Sequence, residues 1–151
     1  MVYYFAYGSN MDICQTKNRV GNFKIIRKAV LNEYSLKFNK KSNNGSGKAN
    51  IVVDENSKVE GVVFEFTESQ LKTMDCFEKG YQRSRPINVL TDGISQKAVT
   101  YIADSKNIDN NLLPTEDYLK IIKDAAKMIG LSDSYQRHLK SFQTEEERNG
   151  L

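Results

Sequence analysis

Apolar positions recur along this chain with two different periods, and the change from one to the other divides it. Val2 to Ala6 is a short, continuous apolar run that predicts a buried strand, and it stops abruptly on Tyr7-Gly8-Ser9-Asn10. Met11 to Arg19 carries a short helical pattern. Phe23 to Val30 and Tyr34 to Phe38 read as strands, the second with clear alternation. The polar, glycine-containing stretch Lys41 to Lys48 predicts a loop, after which Ala49 to Val53 and Val59 to Phe66 resume the extended pattern. Then the period lengthens. Thr67 stands as an N-cap ahead of Leu71, Met74 and Phe77, which are spaced for a helix of about ten residues. Ile87 to Leu90 and Lys97 to Ala103 flank Thr91-Asp92-Gly93 and predict a hairpin. From Thr115 the positions Tyr118, Ile121, Ile122, Ala125, Ala126 and Ile129 define a helix that Gly130 closes, and a last helix spans about Ser132 to Phe142.

Strands in the first two thirds and paired helices in the last third predict an α+β fold with a mostly antiparallel or mixed sheet. The 151 residues suffice for a single domain, placed at 1–143, and the charged segment 144–151 is expected to fray. Hydrophobic residues make up 39% and charged residues 27%, the balance of a soluble globular chain. No apolar run approaches the roughly 20 residues that cross a bilayer, and the start lacks a basic leader. A cytoplasmic protein with no membrane partner is therefore expected. The formal charge of +3 is too small and too scattered to predict a nucleic-acid partner, and the densest basic stretch, Lys37 to Lys41, reads as a solvated strand end.

Candidate chemistry narrows by elimination. Cys14 and Cys76 lie far apart, outside any metal-ligand spacing, and read as reduced thiols, so neither a metal nor another cofactor is predicted. Gly45-Ser46-Gly47-Lys48 is not a phosphate loop, because Ser42 and Ala49 stand where a glycine and a hydroxyl residue are needed. His138 is the only histidine and falls in a polar helix. Catalysis must then lean on a carboxylate, a tyrosine or backbone groups. Glu78 sits where the helical pattern ends, among Met74, Cys76 and Phe77, with Asp75 one turn earlier. Apolar neighbours would raise its pKa toward the range of a general base, although the same residues also suit a partly exposed acid at a helix end.

Six blocks in order resemble the γ-glutamylcyclotransferase-like family over nearly the whole chain: Tyr4 to Met11, Tyr34 to Asn39, Gly47 to Val52, Val59 to Phe64, Met74 to Arg83, and Pro114 to Tyr118 continuing to Tyr135. The resemblance implies a small mixed β-barrel with flanking helices and conversion of γ-glutamyl amines or peptides to 5-oxoproline and a free amine. It implies Glu78 as the catalytic acid/base, Phe5, Ala6, Tyr7, Gly8, Ser9 and Asn10 as the cradle of the γ-glutamyl group, and Tyr118 as a substrate contact. No cofactor and no metal are expected, because no Cys, His, Asp or Glu group has ligand spacing, and a monomer or homodimer is expected. The sequence departs from the common pattern at Lys79, where glycine is frequent, with glycine following at Gly80. Such a substrate carries its own nucleophile, which explains why no reactive histidine or cysteine is needed. The alternatives are the same fold acting on a different γ-glutamyl conjugate, or a binding protein without turnover. From periodicity alone Tyr118 reads as a core aromatic sharing a face with Ile121, Ile122 and Ala125.

Overall fold

The apolar run at the amino terminus folds as strand β1 (Val2–Ala6), antiparallel to the long strand β3 (Gly47–Phe66), which in turn pairs with β2 (Ile26–Lys41). The computed structural model describes residues 1–24 and 26–150. Ile25, inside the strand expected from Phe23, and Leu151, at the end of the expected tail, lie outside the described residues. Between β1 and β2 come a 3₁₀ turn (Ser9–Met11) and helix α1 (Ile13–Val20), capped by Asp12, whose carboxylate accepts the Gln15 N–H.

The breaks expected near residue 33 and between residues 53 and 59 do not end strands. Glu33, at φ +68, alone faces Asp54 to Ser57, because Asn32 pairs with Lys58 and Tyr34 with Val53. Asp54 satisfies the excursion locally by accepting from Asn56 N–H and the Ser57 hydroxyl. A second irregularity sets Phe38 and Asn39 against Ala49, since Lys37 pairs with Asn50 and Lys40 with Lys48. The expected loop shrinks to a tight reversal, with Gly45 at φ +83 and the Ser42 hydroxyl donating to Ser46 O.

Helix α2 (Glu68–Phe77) begins where the period changes, and Thr67 and Gln70 form a reciprocal capping box. Strand β4 (Tyr81–Arg83) follows, unanticipated by the sequence pattern; β5 (Ile87–Thr91) and β6 (Ile94–Ala98) form the expected hairpin, and β7 (Tyr101–Ala103) separates to pair with β4. The main sheet has the order β1-β3-β2-β5-β6. Its edges meet through Phe5 N–H to Val99 O (2.8 Å) and Val99 N–H to Tyr3 O (2.9 Å), a single parallel bridge without a continuous ladder. The α+β class with flanking helices therefore holds, while the expected barrel is an open, strongly curled sheet.

Helix α3 (Glu116–Ile129) is capped by Thr115 and ends on Gly130 in the left-handed conformation; α4 (Asp133–Lys140) is capped by Ser132, which also binds the buried Glu60 carboxylate. In the segment expected to fray, Thr144 and Glu147 build a capping box for the one-turn helix α5 (Glu145–Arg148). The core between sheet and helices is filled by Phe5, Phe64, Phe66, Leu71, Met74 and Ile122. Among the described residues no helix is long and apolar enough to cross a membrane.

Candidate active site

The first strand delivers a polar turn against the end of α2, and the two together floor a cavity. Tyr7 is buried and donates its hydroxyl to Tyr101 O at 2.6 Å, so its ring is wall and its oxygen is committed. At Gly8 the chain passes so near β3 that an added Cβ would lie 3.1 Å from Ala49 Cβ and 3.7 Å from the Tyr118 hydroxyl. Its φ of −113° asks for no special backbone freedom; what glycine supplies is room. The leading N–H groups of Ser9 and Asn10, at the start of the 3₁₀ turn, have no acceptor within that turn. The Thr16 hydroxyl donates to Asn10 O at 2.7 Å and fastens the turn to α1.

Asn10 is the hub. Arg19 (2.9 Å) and Gln15 (3.3 Å) both donate to its Oδ1, which fixes the amide so that Nδ2 donates to the Glu78 carboxylate at 2.7 Å and to the Tyr4 hydroxyl at 2.9 Å. Glu78 is the C-terminal cap of α2, half-buried among Tyr4, Tyr7, Tyr81 and Tyr118. Burial pushes its pKa from 4.5 up to about 7 against the opposing pull of Arg19, Lys40 and the Asn10 hydrogen bond. The direction is the one expected from sequence, but the desolvating groups differ: Cys76 and Phe77 point outward, and the tyrosines replace them. The left-handed residue of the following turn is Gly80, at φ +83, where a Cβ would meet Lys40 Cε at 2.7 Å.

The β2–β3 bulge positions the opposite wall. With two residues facing it, Ala49 has a peptide available to the cavity side: its N–H donates to the Tyr118 hydroxyl at 3.0 Å and its carbonyl accepts from Tyr81 at 2.6 Å. Tyr118 is thus neither a plain core aromatic nor remote from the cavity. Burial raises the pKa of Tyr4, Tyr7, Tyr81 and Tyr118, so each remains a neutral phenol.

These residues, with Tyr101, line an inner cavity of about 30 Å³. Glu78, Tyr81, Tyr118 and Ser9 also border an outer cleft of about 670 Å³, whose remaining walls include Arg19, Lys40 and Lys48. Lys40, read from sequence as part of a solvated strand end, turns into this cleft over the Tyr81 ring. Of the expected site residues, Tyr7, Gly8, Ser9, Asn10, Glu78 and Tyr118 converge. Phe5 and Ala6 do not line the cavity; both are fully buried in the core. Asp75 turns away to accept from Tyr101 and pair with Arg83. Sequence reasoning missed Tyr4, Ala49, Tyr81 and Tyr101 as cavity residues, and Arg19, Lys40 and Lys48 as cleft residues. Tyr4, Ala49 and Tyr81 all stood within the resembling blocks, but Ala49 acts through its backbone and left no side-chain signal. Among the described residues, no three His, Cys, Asp or Glu side chains group as a metal site.

No curated protein matches the sequence. A solved γ-glutamyl cyclotransferase structure is 27% identical, covers 96% of this chain and 89% of its own, and superposes with a TM-score of 0.87. An uncharacterised protein from Homo sapiens is 28% identical with the same coverage and TM-score. A yeast γ-glutamyl cyclotransferase specific to glutathione, at 11% identity and a TM-score of 0.74 over 91% of this chain and 93% of its own, shares the fold. The family described as gamma-glutamyl cyclotransferase, AIG2-like, matches residues 4–120, a span that contains both the Tyr7 to Asn10 turn and Glu78. This chain belongs to that family.

Proposed function

We propose that the protein is a γ-glutamyl cyclotransferase that releases 5-oxoproline and an amine by attack of the substrate's own α-amine on its γ-carbonyl, with Glu78 as the proton carrier. The observation that carries the reading is a single carboxylate poised near neutrality, oriented by Asn10, where a tyrosine-lined cavity meets an open cleft. Folding the γ-glutamyl group into a ring-closing conformer is worth up to about 7–11 kcal/mol in well-oriented intramolecular reactions, so no protein nucleophile is needed.

Ionised Glu78 takes the proton that the α-ammonium must lose. The nitrogen lone pair forms the new bond to the γ-carbon, and charge collects on the γ-oxygen. The N–H groups of Ser9 and Asn10 and the Tyr118 hydroxyl, whose proton is not used by Ala49, are donors suited to that charge. Glu78 then returns its proton to the departing nitrogen as the original amide bond breaks, and the new ring nitrogen, which still carries two hydrogens after the attack, releases one to solvent, leaving 5-oxoproline and the free amine. Glu78→Gln keeps the shape and removes the base. A folded Glu78→Gln protein should lose 10²–10⁴-fold in kcat for 5-oxoproline release, the roughly general-base-sized effect, and near-normal turnover would end this mechanism.

A further inference from the structure

The outer cleft carries a charge imbalance that the ring-closing chemistry does not use. Arg19, Lys40, Lys48 and Lys79 line it, and Glu78 is the only carboxylate among its lining residues. Ion pairs do occur elsewhere in the molecule, at Lys58–Glu60, Arg83–Asp75 and Lys120–Asp124, yet among the described residues none of the four cleft cations has a carboxylate within ion-pair distance. Three of them rest instead on aromatic faces. The Arg19 guanidinium lies 5.1 Å from the Phe77 ring centre, the Lys40 ammonium 5.1 Å from that of Tyr81, and the Lys48 ammonium 4.0 Å from that of Tyr118. A ring orients a cation without neutralising it, and leaves its outer side for an anion. The cations also oppose one another, for burial and the charges of Lys40 and Arg19 hold the Lys48 ammonium below its usual pKa.

The substrate's own charges decide what such a cleft can hold. A γ-glutamyl group brings one ammonium, which faces Glu78, and one carboxylate, which engages one cation at most in a one-to-one count. Three cations are then left for the departing half. A leaving group with a single carboxylate leaves most of them unmatched, and one with a positive charge adds to the repulsion. Resting on the cyclotransferase reading above, we infer that the outer cleft selects a leaving group bearing two or more carboxylates, an acidic amino acid or acidic peptide joined to the γ-glutamyl carbonyl.

The test is release of 5-oxoproline from four substrates that share the γ-glutamyl half: γ-glutamyl-glutamate, γ-glutamyl-alanine, γ-glutamyl-alaninamide and Nε-(γ-glutamyl)lysine. The expected kcat/KM falls from glutamate to alanine to alaninamide, by roughly fivefold or more for each carboxylate removed, with the lysine conjugate well below the glutamate one. Lys48→Met should compress the ratio between the glutamate and alaninamide substrates, as should raising the salt to about 0.5 M. Lys40→Met, checked for folding by circular dichroism, serves the same purpose on the other side of the cleft. A flat profile, or a preference for alaninamide or the lysine conjugate, overturns the inference while leaving the cyclotransferase reading intact. No 5-oxoproline from any of the four would instead bring down that reading and this one with it.

Discussion

Glu78 and Tyr118 show what a single side chain costs and returns. Raising the pKa of Glu78 from 4.5 to about 7 means that the folded protein binds a proton more tightly there than the unfolded chain does. Its stabilising contribution is full below pH 4.5 and is lost as pH rises through 7, so at alkaline pH the ionised carboxylate is a net burden. Glu78→Gln, which has no such titration, should be more stable relative to wild type at pH 8 than at pH 4.5, by on the order of 2 kcal/mol after discounting for its partial exposure. Urea unfolding of both proteins at the two pH values measures this, and an unchanged difference would mean that Glu78 is not held in a desolvated place. Glu78 stood out in the sequence as a candidate through its apolar neighbours and the resembling block Met74 to Arg83, but the residues that surround it did not, because they come from separated segments. Tyr118 teaches a complementary point. Periodicity sets core and substrate roles against each other, whereas the Ala49 N–H donating to the hydroxyl gives this residue a share in both. Tyr118→Phe should therefore lower kcat/KM and also cost about 1–3 kcal/mol of stability, by leaving the buried Ala49 N–H without its acceptor. Loss of activity at wild-type stability would show that water replaces the hydroxyl at Ala49.

Among elements, the strands were easier to detect than to delimit. Alternation revealed the extended segments in β2 and β3 but read their two irregularities as strand ends, because a bulge and a turn draw on the same residues, Asn, Asp, Ser and Glu in left-handed or polar positions. Helix boundaries fared better, because Thr67, Thr115 and Ser132 cap through side chains that the sequence displays. Strand β4, three residues long, has too few positions for any period to register. The approach of β1 to β3 hangs on Gly61, where a Cβ would lie 2.3 Å from Ala6 O and 2.9 Å from the Phe5 ring. Both obstacles belong to the core strand that leads into the Tyr7 to Asn10 turn, so neither can swing aside cheaply. Gly61→Ala should cost at least the roughly 1–3 kcal/mol of ordinary overpacking, which for a chain of this length lowers Tm by about 2–12 °C. A thermal melt checks it, and an unchanged Tm would mean that the β1–β3 register adjusts without cost.

For the molecule as a whole, net charge concealed the distribution that matters. A formal +3 looks unremarkable, and only the fold brings Arg19 to Lys40 and Lys48, partners across the β2–β3 reversal, around one cleft. The carboxyl-terminal segment is a second case of distant assembly. Its charge and position predict fraying, yet the Glu145 N–H bonds Pro114 O, the Glu116 N–H bonds the Glu146 carboxylate, and Arg148 donates to Asn111 O. These contacts brace the stretch that leads into α3, and the first turn of α3 carries Tyr118. Leu113 in the same stretch accepts the Gly47 N–H at 2.8 Å, next to the bulge that turns Ala49 toward the cavity. Removing residues 144–151 should consequently loosen the Tyr118–Ala49 contact from outside, although no deleted residue lines the cavity. The expected result is a Tm lowered by several degrees, from about 1–2 kcal/mol of lost capping and hydrogen bonds, together with a raised KM for a γ-glutamyl substrate and an unshifted pH profile. Glu78 and Asn10 keep their partners in the truncated chain, so the proton chemistry has no reason to change. A truncated protein with wild-type Tm and KM would return the segment to the solvated tail its composition predicts.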